Sequence, residues 1–166
     1  MSKYKCAFIG SQGSGKTTKC YELATTLKKM GRDVYVLSEV ARSCPLPINE
    51  ETTIEAQLWI FAKQITREQS AKAEILLSDR TVLDSLAYGY RKFPEVYKSL
   101  FPFIKEYMKT YDHIIYLPPS NEFLKDDGLR STDKIFRDEI DASISKFIKD
   151  FDVKTCSVDD VITAFK

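Results

Sequence analysis

Histidine and tryptophan are almost missing from this sequence: His113 and Trp59 are the only ones. The four cysteines, Cys6, Cys20, Cys44 and Cys156, lie far apart with no Cys-x-x-Cys pair. Zinc-holding spacings are therefore absent, and scattered reduced thiols are expected. An excess of one charge is missing too. Lysine and arginine number 25 against 24 aspartates and glutamates, a formal net charge of +1. Such balance gives no broad footprint for nucleic acid or an anionic membrane, so neither is expected as a partner. No stretch approaches the roughly 20 apolar residues of a membrane span. Met1–Cys6 runs straight into a strand-like segment without a signal-peptide pattern, which points to a cytoplasmic location. No repeat, low-complexity tract or linker divides the 166 residues, so one domain over 1–166 is expected.

What is present alternates between strand and helix, the pattern of a parallel sheet covered on both faces, an α/β fold. Tyr4–Ile9 is an apolar run ending at a glycine. Further strands are read at Val34–Leu37, Ile75–Ser78 and His113–Leu117, with a weaker fifth at Val153–Cys156. Lys16–Met30 reads as a helix closed by Gly31. Glu51–Ala71 reads as another, capped by Asn49, with Ile54, Leu58, Phe61 and Ile65 as its apolar stripe. A last helix, about Asp133–Phe151, carries Phe136, Ile140, Ile144, Phe147 and Ile148 inward.

Gly10-Ser11-Gln12-Gly13-Ser14-Gly15-Lys16-Thr17 matches the phosphate-binding P-loop pattern at every fixed position, between an apolar strand and a helix. Glycines let the backbone turn sharply and aim N–H groups at a phosphate, beside the positive end of a helix. Lys16 brings a flexible charge to the β and γ phosphates. The Thr17 hydroxyl suits Mg²⁺, and Thr18 completes the nucleotide-binding stretch. A strand-end acid near the loop usually helps to hold the metal, and Asp79 stands there. Hydrolysing ATPases commonly place a glutamate next; here the residue is Arg80, which suits charge stabilisation or grip on an acceptor phosphate, or else a structural salt bridge.

Ligands of open α/β sheets sit beyond the carboxyl ends of the strands. Glu39 falls there and suits proton abstraction from an acceptor hydroxyl, with Arg42 three residues on. The two could equally pair on a loop. Asp84 is read either as facing the same cavity or as a helix-surface carboxylate. Gln57, Phe61, Gln64 and Glu68 border the apolar stripe of the second helix, where amides and an aromatic ring suit a flat base. A wet rim around a core helix would look the same, and Trp59 reads as core. The segment at about 119–137 reads as a lid. Gly128 permits its turn, and Arg130 and Arg137 are placed to neutralise a transferring phosphoryl group. The alternative is a solvated face with an Asp133–Arg137 pair continued by Asp141.

Gly10–Thr17, Ser38-Glu39-Val-Ala-Arg42-Ser-Cys44-Pro45, Gln64-x-x-x-Glu68, Ser78-Asp79-Arg80-x-x-x-Asp84 and Asp127-Gly128-Leu-Arg130 together resemble an AAA-like P-loop kinase family. That family is typified by the ribosylnicotinamide kinase domain of the bifunctional bacterial NAD-biosynthesis protein. Asp79-Arg80 is also similar to thymidylate and deoxynucleoside kinases. The resemblance covers nearly the whole chain and implies a kinase-type fold, strand order 2-3-1-4-5, with ATP–Mg²⁺ as donor. It leaves the acceptor open among nucleosides, nucleotides and ribosylnicotinamide-like molecules.

Phosphoryl transfer to such an acceptor is the leading expectation, with Lys16, Glu39, Arg80 and Arg130 as catalytic residues. Glu39, Arg42, Gln64 and Asp84 would bind the acceptor, and Thr17 and Asp79 the metal. An ATP-binding or hydrolysing module acting on a partner is the alternative, and a polynucleotide-end kinase a further one. A GTPase switch fits worse, since no Asn-Lys-x-Asp or Thr-Lys-x-Asp segment is present to read guanine. Homodimerisation stays open.

Overall fold

The computed structural model describes residues 4–120 and 133–166. In chain order the elements are β1 (Tyr4–Ile9), α1 (Lys16–Lys29), β2 (Val34–Leu37), two 3₁₀ turns (Val40–Ser43 and Asn49–Glu51) and α2 (Ile54–Ser70). They continue with β3 (Ile75–Asp79), α3 (Val82–Lys92), α4 (Pro94–Met108), β4 (His113–Tyr116), α5 (Lys134–Asp150) and α6 (Val158–Thr163). The sheet runs β2-β3-β1-β4 and is parallel throughout, with Tyr4 and Val34 both in register with Ile75, and Cys6 with His113.

Alternation along β1 builds both cores. Cys6 and Phe8 pack toward α1 and α6 with Cys20, Leu23, Leu27 and Val161. Ala7 and Ile9 face the opposite way, onto α3, α4 and α5 through Leu83, Leu86, Tyr97, Ile104, Ile140 and Phe147. Because both faces are covered, β1 and β3 read as continuous apolar runs, as inner parallel strands do. All four cysteines are free.

Among the described residues, four strands stand where five are expected. Val153–Cys156 forms no strand, although the Cys156 N–H donates to the Ile114 carbonyl at 2.9 Å, one rung of pairing beside β4. The α2 helix begins later than read, because Asn49 sits at φ +61° in a 3₁₀ turn and the cap is Thr53, whose hydroxyl oxygen accepts from the Ala56 N–H. The buried face of α2 also differs from the apolar stripe read for it. Leu58 is exposed, while Gln57, Gln64 and Glu68 are buried beside Ala56, Ile60 and Phe61. A polar face turns inward there because it lines a cleft and a buried ion pair. Trp59 packs with Tyr35 against Leu37, Val40 and Leu76. On α5, by contrast, Phe136, Ile140, Ile144 and Phe147 are buried as read.

Candidate functional site

The carboxyl ends of β1, β3 and β2 set the site. The chain leaves β1 at Gly10, whose φ is +154°; a Cβ there would lie 2.3 Å from the Leu117 carbonyl oxygen. Only a glycine passes so close to the end of β4. Gly13 and Gly15 are also left-handed, at φ +70° and +79°, and Gly15 opens α1. Lys16 is buried on the first turn, its Nζ donating to the Ser11 carbonyl at 2.5 Å and to Ser14 Oγ at 3.0 Å. Burial first, then the charge of Arg80, brings its ammonium down from 10.5 to about 8. The Thr17 hydroxyl donates to Asp79 Oδ2 at 2.5 Å, and Thr18 is exposed beside it.

Two carboxylates brace the loop. Asp84 accepts the Gly10 N–H at 3.1 Å on one oxygen and the Thr81 N–H and hydroxyl at 2.7 and 3.0 Å on the other. It thereby closes a capping box at the start of α3 while fixing the start of the P-loop. Burial pushes its carboxyl upward against the pull of Arg80 and Lys16. Asp141, which the alternative to the lid reading put on a solvated face, accepts from Tyr116 at 2.8 Å and from Ser11 Oγ at 3.5 Å, and so ties α5 to the loop.

Arg80 follows β3 at φ +105°, a conformation uncommon for a residue with a side chain. Its Nε donates to Glu39 Oε1 at 2.7 Å, and its Nη1 lies 3.8 Å from Asp84. The guanidinium also stands 5.1 Å from the centre of the Tyr88 ring. Burial opposes the charge, but Glu39, Tyr88, Asp84 and Asp79 together more than compensate and raise the group further above its ordinary value. Glu39 takes a second guanidinium from Arg42 at 3.2 Å, so the loop pair and the cleft position coexist.

Glu39, Arg42, Arg80 and Asp84 wall a cleft that is open to solvent, bounded also by Gln12, Ala41, Ile48, Asn49, Gln57, Ile60, Ser85 and Tyr88. Three buried polar atoms here make no hydrogen bond among the described residues: Gln12 Nε2, Gln57 Oε1 and Arg80 Nη1. Gln12 Oε1 accepts from Tyr88 at 2.6 Å, and Gln57 Nε2 donates to Thr52 Oγ1 at 2.8 Å. Of the residues read as acceptor-binding, Glu39, Arg42 and Asp84 line the cleft; Gln64 does not, being bonded to Glu68, Ser78 and the Arg80 carbonyl. Tyr88, Ile48 and Ser85 were not singled out from sequence. The only signal for Tyr88 is its place one helical turn beyond Asp84. Arg137 is buried on the first turn of α5 and pairs with Asp138 at 2.9 Å, with Asp133 capping the helix. Arg130 and Gly128, and residues 121–132 of the lid segment, lie outside the described residues.

The donor set fits a polyphosphate with Mg²⁺. A buried ammonium, a glycine cradle at a helix start and an adjoining hydroxyl–carboxylate pair of oxygens are what such a group requires. Among the described residues no group of three histidine, cysteine or carboxylate side chains could form an all-protein metal cage, and no helix is long and apolar enough to cross a membrane.

Comparison with known proteins accords with this geometry. No curated protein matches the sequence. The structure of NadR protein in complex with NR superposes with a TM-score of 0.71 at 22% identity, covering 90% of this chain and 43% of that one. Deoxyadenosine kinase from M. mycoides, with products dCMP and a flexible dCDP bound, gives 0.62 at 18% identity, covering 93% and 90%. The same enzyme with bound dATP gives 0.62 at 19%, covering 94% and 91%. At these identities the likeness is one of fold, and this chain spans less than half the length of the NadR chain. A family model described as AAA domain matches residues 5–162, from the base of β1 to α6. The chain belongs to the AAA domain family.

Proposed function

We propose that this protein transfers the γ-phosphoryl group of ATP–Mg²⁺ to a hydroxyl of a small nucleoside, nucleotide or ribosylnicotinamide-like acceptor. One observation carries the reading. The cleft beside the P-loop holds a carboxylate clamped by two guanidiniums, and three buried polar atoms of its lining residues make no hydrogen bond among the described residues. Buried polar groups are nearly always paired, so an amide oxygen and two N–H donors on residues that line one cleft call for a ligand of matching pattern. Gln57 supplies the acceptor. Gln12 and Arg80 supply the donors, and the Tyr88 ring and Ile60 give a flat molecule apolar contact. That two neighbours of the same fold were captured with NR and with dCMP adds support.

In this reading Lys16 and the backbone of Gly10–Gly15 hold the nucleotide phosphates. Thr17 and Asp79 would hold Mg²⁺, which when bound neutralises charge on the β and γ phosphates. Glu39 takes the proton from the acceptor hydroxyl as the new P–O bond forms, and ADP leaves. Arg80 stabilises charge on the transferring group and holds Glu39 in place. Arg42 reaches an anionic part of the acceptor, and Asp84 positions both the loop and Arg80. The reading carries a cytosolic location with it.

The test is a panel of nucleosides, nucleoside monophosphates and ribosylnicotinamide with ATP–Mg²⁺, scored for ADP release and for phosphorylated acceptor. ADP release stimulated by one member, with its phosphorylated product, is expected. Equal release without any acceptor would replace transfer by hydrolysis.

A further inference from the structure

Next to the Arg80 carbonyl lies a buried polar cluster with no part in the phosphoryl-transfer scheme. Glu68, fully buried on α2, meets Lys5 Nζ at 2.9 Å and accepts from Tyr107 at 3.0 Å and Tyr111 at 2.6 Å. Lys5 Nζ stands 4.7 and 4.3 Å from the centres of those two rings. Gln64, one turn earlier on α2, connects this cluster to the site. Its Nε2 lies 2.7 Å from Glu68 Oε1, 2.9 Å from Ser78 Oγ and 3.2 Å from the Arg80 carbonyl. Ser78 Oγ donates to the same carbonyl at 2.7 Å.

Two facts give this arrangement a direction. An ionised carboxylate only accepts, so Glu68 admits only the NH₂ end of the Gln64 amide. A flip would aim the amide oxygen at the carboxylate, and the donor is thereby committed to the side of the Arg80 carbonyl. Arg80 itself stands at φ +105°, which a residue with a Cβ keeps only where its surroundings hold it. Its N–H is held by the Phe8 carbonyl at 3.0 Å, and its carbonyl by Ser78 and Gln64. With both flanks of the residue pinned, the side chain leaves the backbone toward Glu39 and the cleft.

We propose that Gln64 and Glu68 are positioning residues for Arg80: Glu68 orients the Gln64 amide, and Gln64 locks the left-handed backbone that aims the guanidinium into the cleft. Read from sequence as an acceptor ligand, Gln64 acts on the site from behind, through a main-chain carbonyl. The proposal rests on the transfer reading for its kinetic consequence but not for its structural one.

The test compares Gln64→Leu, similar in size without donors, with Ser78→Ala, which removes the other donor to the same carbonyl. Each is measured for melting temperature, ATP affinity, kcat and KM for the acceptor, and the Arg80 Nε–H resonance in ¹⁵N-labelled protein. Gln64→Leu is expected to lower kcat roughly ten- to a hundredfold with ATP affinity nearly unchanged. The Arg80 resonance should lose its Glu39-bonded shift and exchange faster with water. In an Arg80→Ala background, Gln64→Leu should cost nothing further in kcat, the non-additivity of residues acting as one unit. A kcat loss that adds fully to that of Arg80→Ala, or an unchanged Arg80 resonance, would overturn the proposal. Should Gln64→Leu not fold, Ser78→Ala decides by the same readouts. If no acceptor supports turnover, the functional reading falls alone: the resonance still decides the relay, upheld if shifted toward solvent and overturned if unmoved.

Discussion

At the scale of single residues, the proposed transfer rests on Lys16 and Glu39, and each role has a distinct signature. In the folded chain the Lys16 ammonium titrates near 8, against an ordinary 10.5, chiefly because it is buried. Between those values the unfolded chain binds more protons than the folded one, so the stability contribution rises with pH across that window; below about 8 the buried charge costs most. Nucleotide binding runs the other way, since phosphates need the charged form. ATP affinity should therefore weaken as pH climbs through about 8, with proton uptake on binding measurable by calorimetry in buffers of different ionisation heat. An affinity that stays flat across this range would remove Lys16 as a phosphate ligand. Lys16→Ala should abolish turnover. Glu39→Gln keeps the shape and removes the base, so kcat should fall roughly 10²–10⁴-fold with ATP affinity little changed. Asp79→Asn should instead raise the Mg²⁺ requirement. If magnesium dependence follows Glu39→Gln and ignores Asp79→Asn, the two roles are reversed.

Among the elements, the α3–α4 pair supports the site from below, and Gly89 is where the two helices meet. A Cβ on Gly89 would lie 2.1 Å from Cζ of Tyr97, a ring with no exposed surface. A rigid aromatic cannot swing aside as a flexible chain end would, so Gly89→Ala must part the helices or displace the ring. The expected cost is about 1–3 kcal/mol, read as a lower urea midpoint. Tyr97→Phe makes the opposite test. The Tyr97 hydroxyl is buried and makes no hydrogen bond among the described residues, so deleting it should leave stability unchanged or higher. Loss of stability in Tyr97→Phe would mean that the hydroxyl has a partner after all. Because the first turn of α3 carries Asp84, which holds Gly10, a parted α3–α4 pair should also weaken ATP binding in Gly89→Ala.

At the scale of the whole molecule, the Lys5–Glu68 pair links the start of β1 to the far end of α2, across residues 63 positions apart. Both side chains are almost wholly buried. Removing one partner of a buried pair leaves an uncompensated charge, and Lys5→Met should cost about 3–5 kcal/mol. Denaturation in urea checks it: the midpoint should fall with the slope unchanged. A loss well under 1 kcal/mol would show that the Gln64 amide and the two tyrosine hydroxyls satisfy Glu68 without the lysine.

How much of this was legible in the sequence depends on how local each feature is. The P-loop was, because Gly10–Thr17 is contiguous and its backbone conformations, at φ +154°, +70° and +79°, are a property of glycine itself. The parallel sheet was as well, since buried inner strands announce themselves as apolar runs. The long α5 helix showed its inward residues for the same reason of period. The cleft was not. Its walls come from the P-loop, the turn after β2, α2 and α3, and nothing in the spacing of Gln12, Gln57 and Tyr88 says that they meet. The polar inner face of α2 escaped too, because periodicity assumes that the buried stripe is the apolar one, whereas Gln64 and Glu68 are buried by their hydrogen bonds. Sequence alone determined the phosphate cradle, which needs only neighbouring residues and intrinsic backbone preference. Tertiary structure alone decided which residues face the cleft, because that depends on how four separate elements pack around one strained arginine.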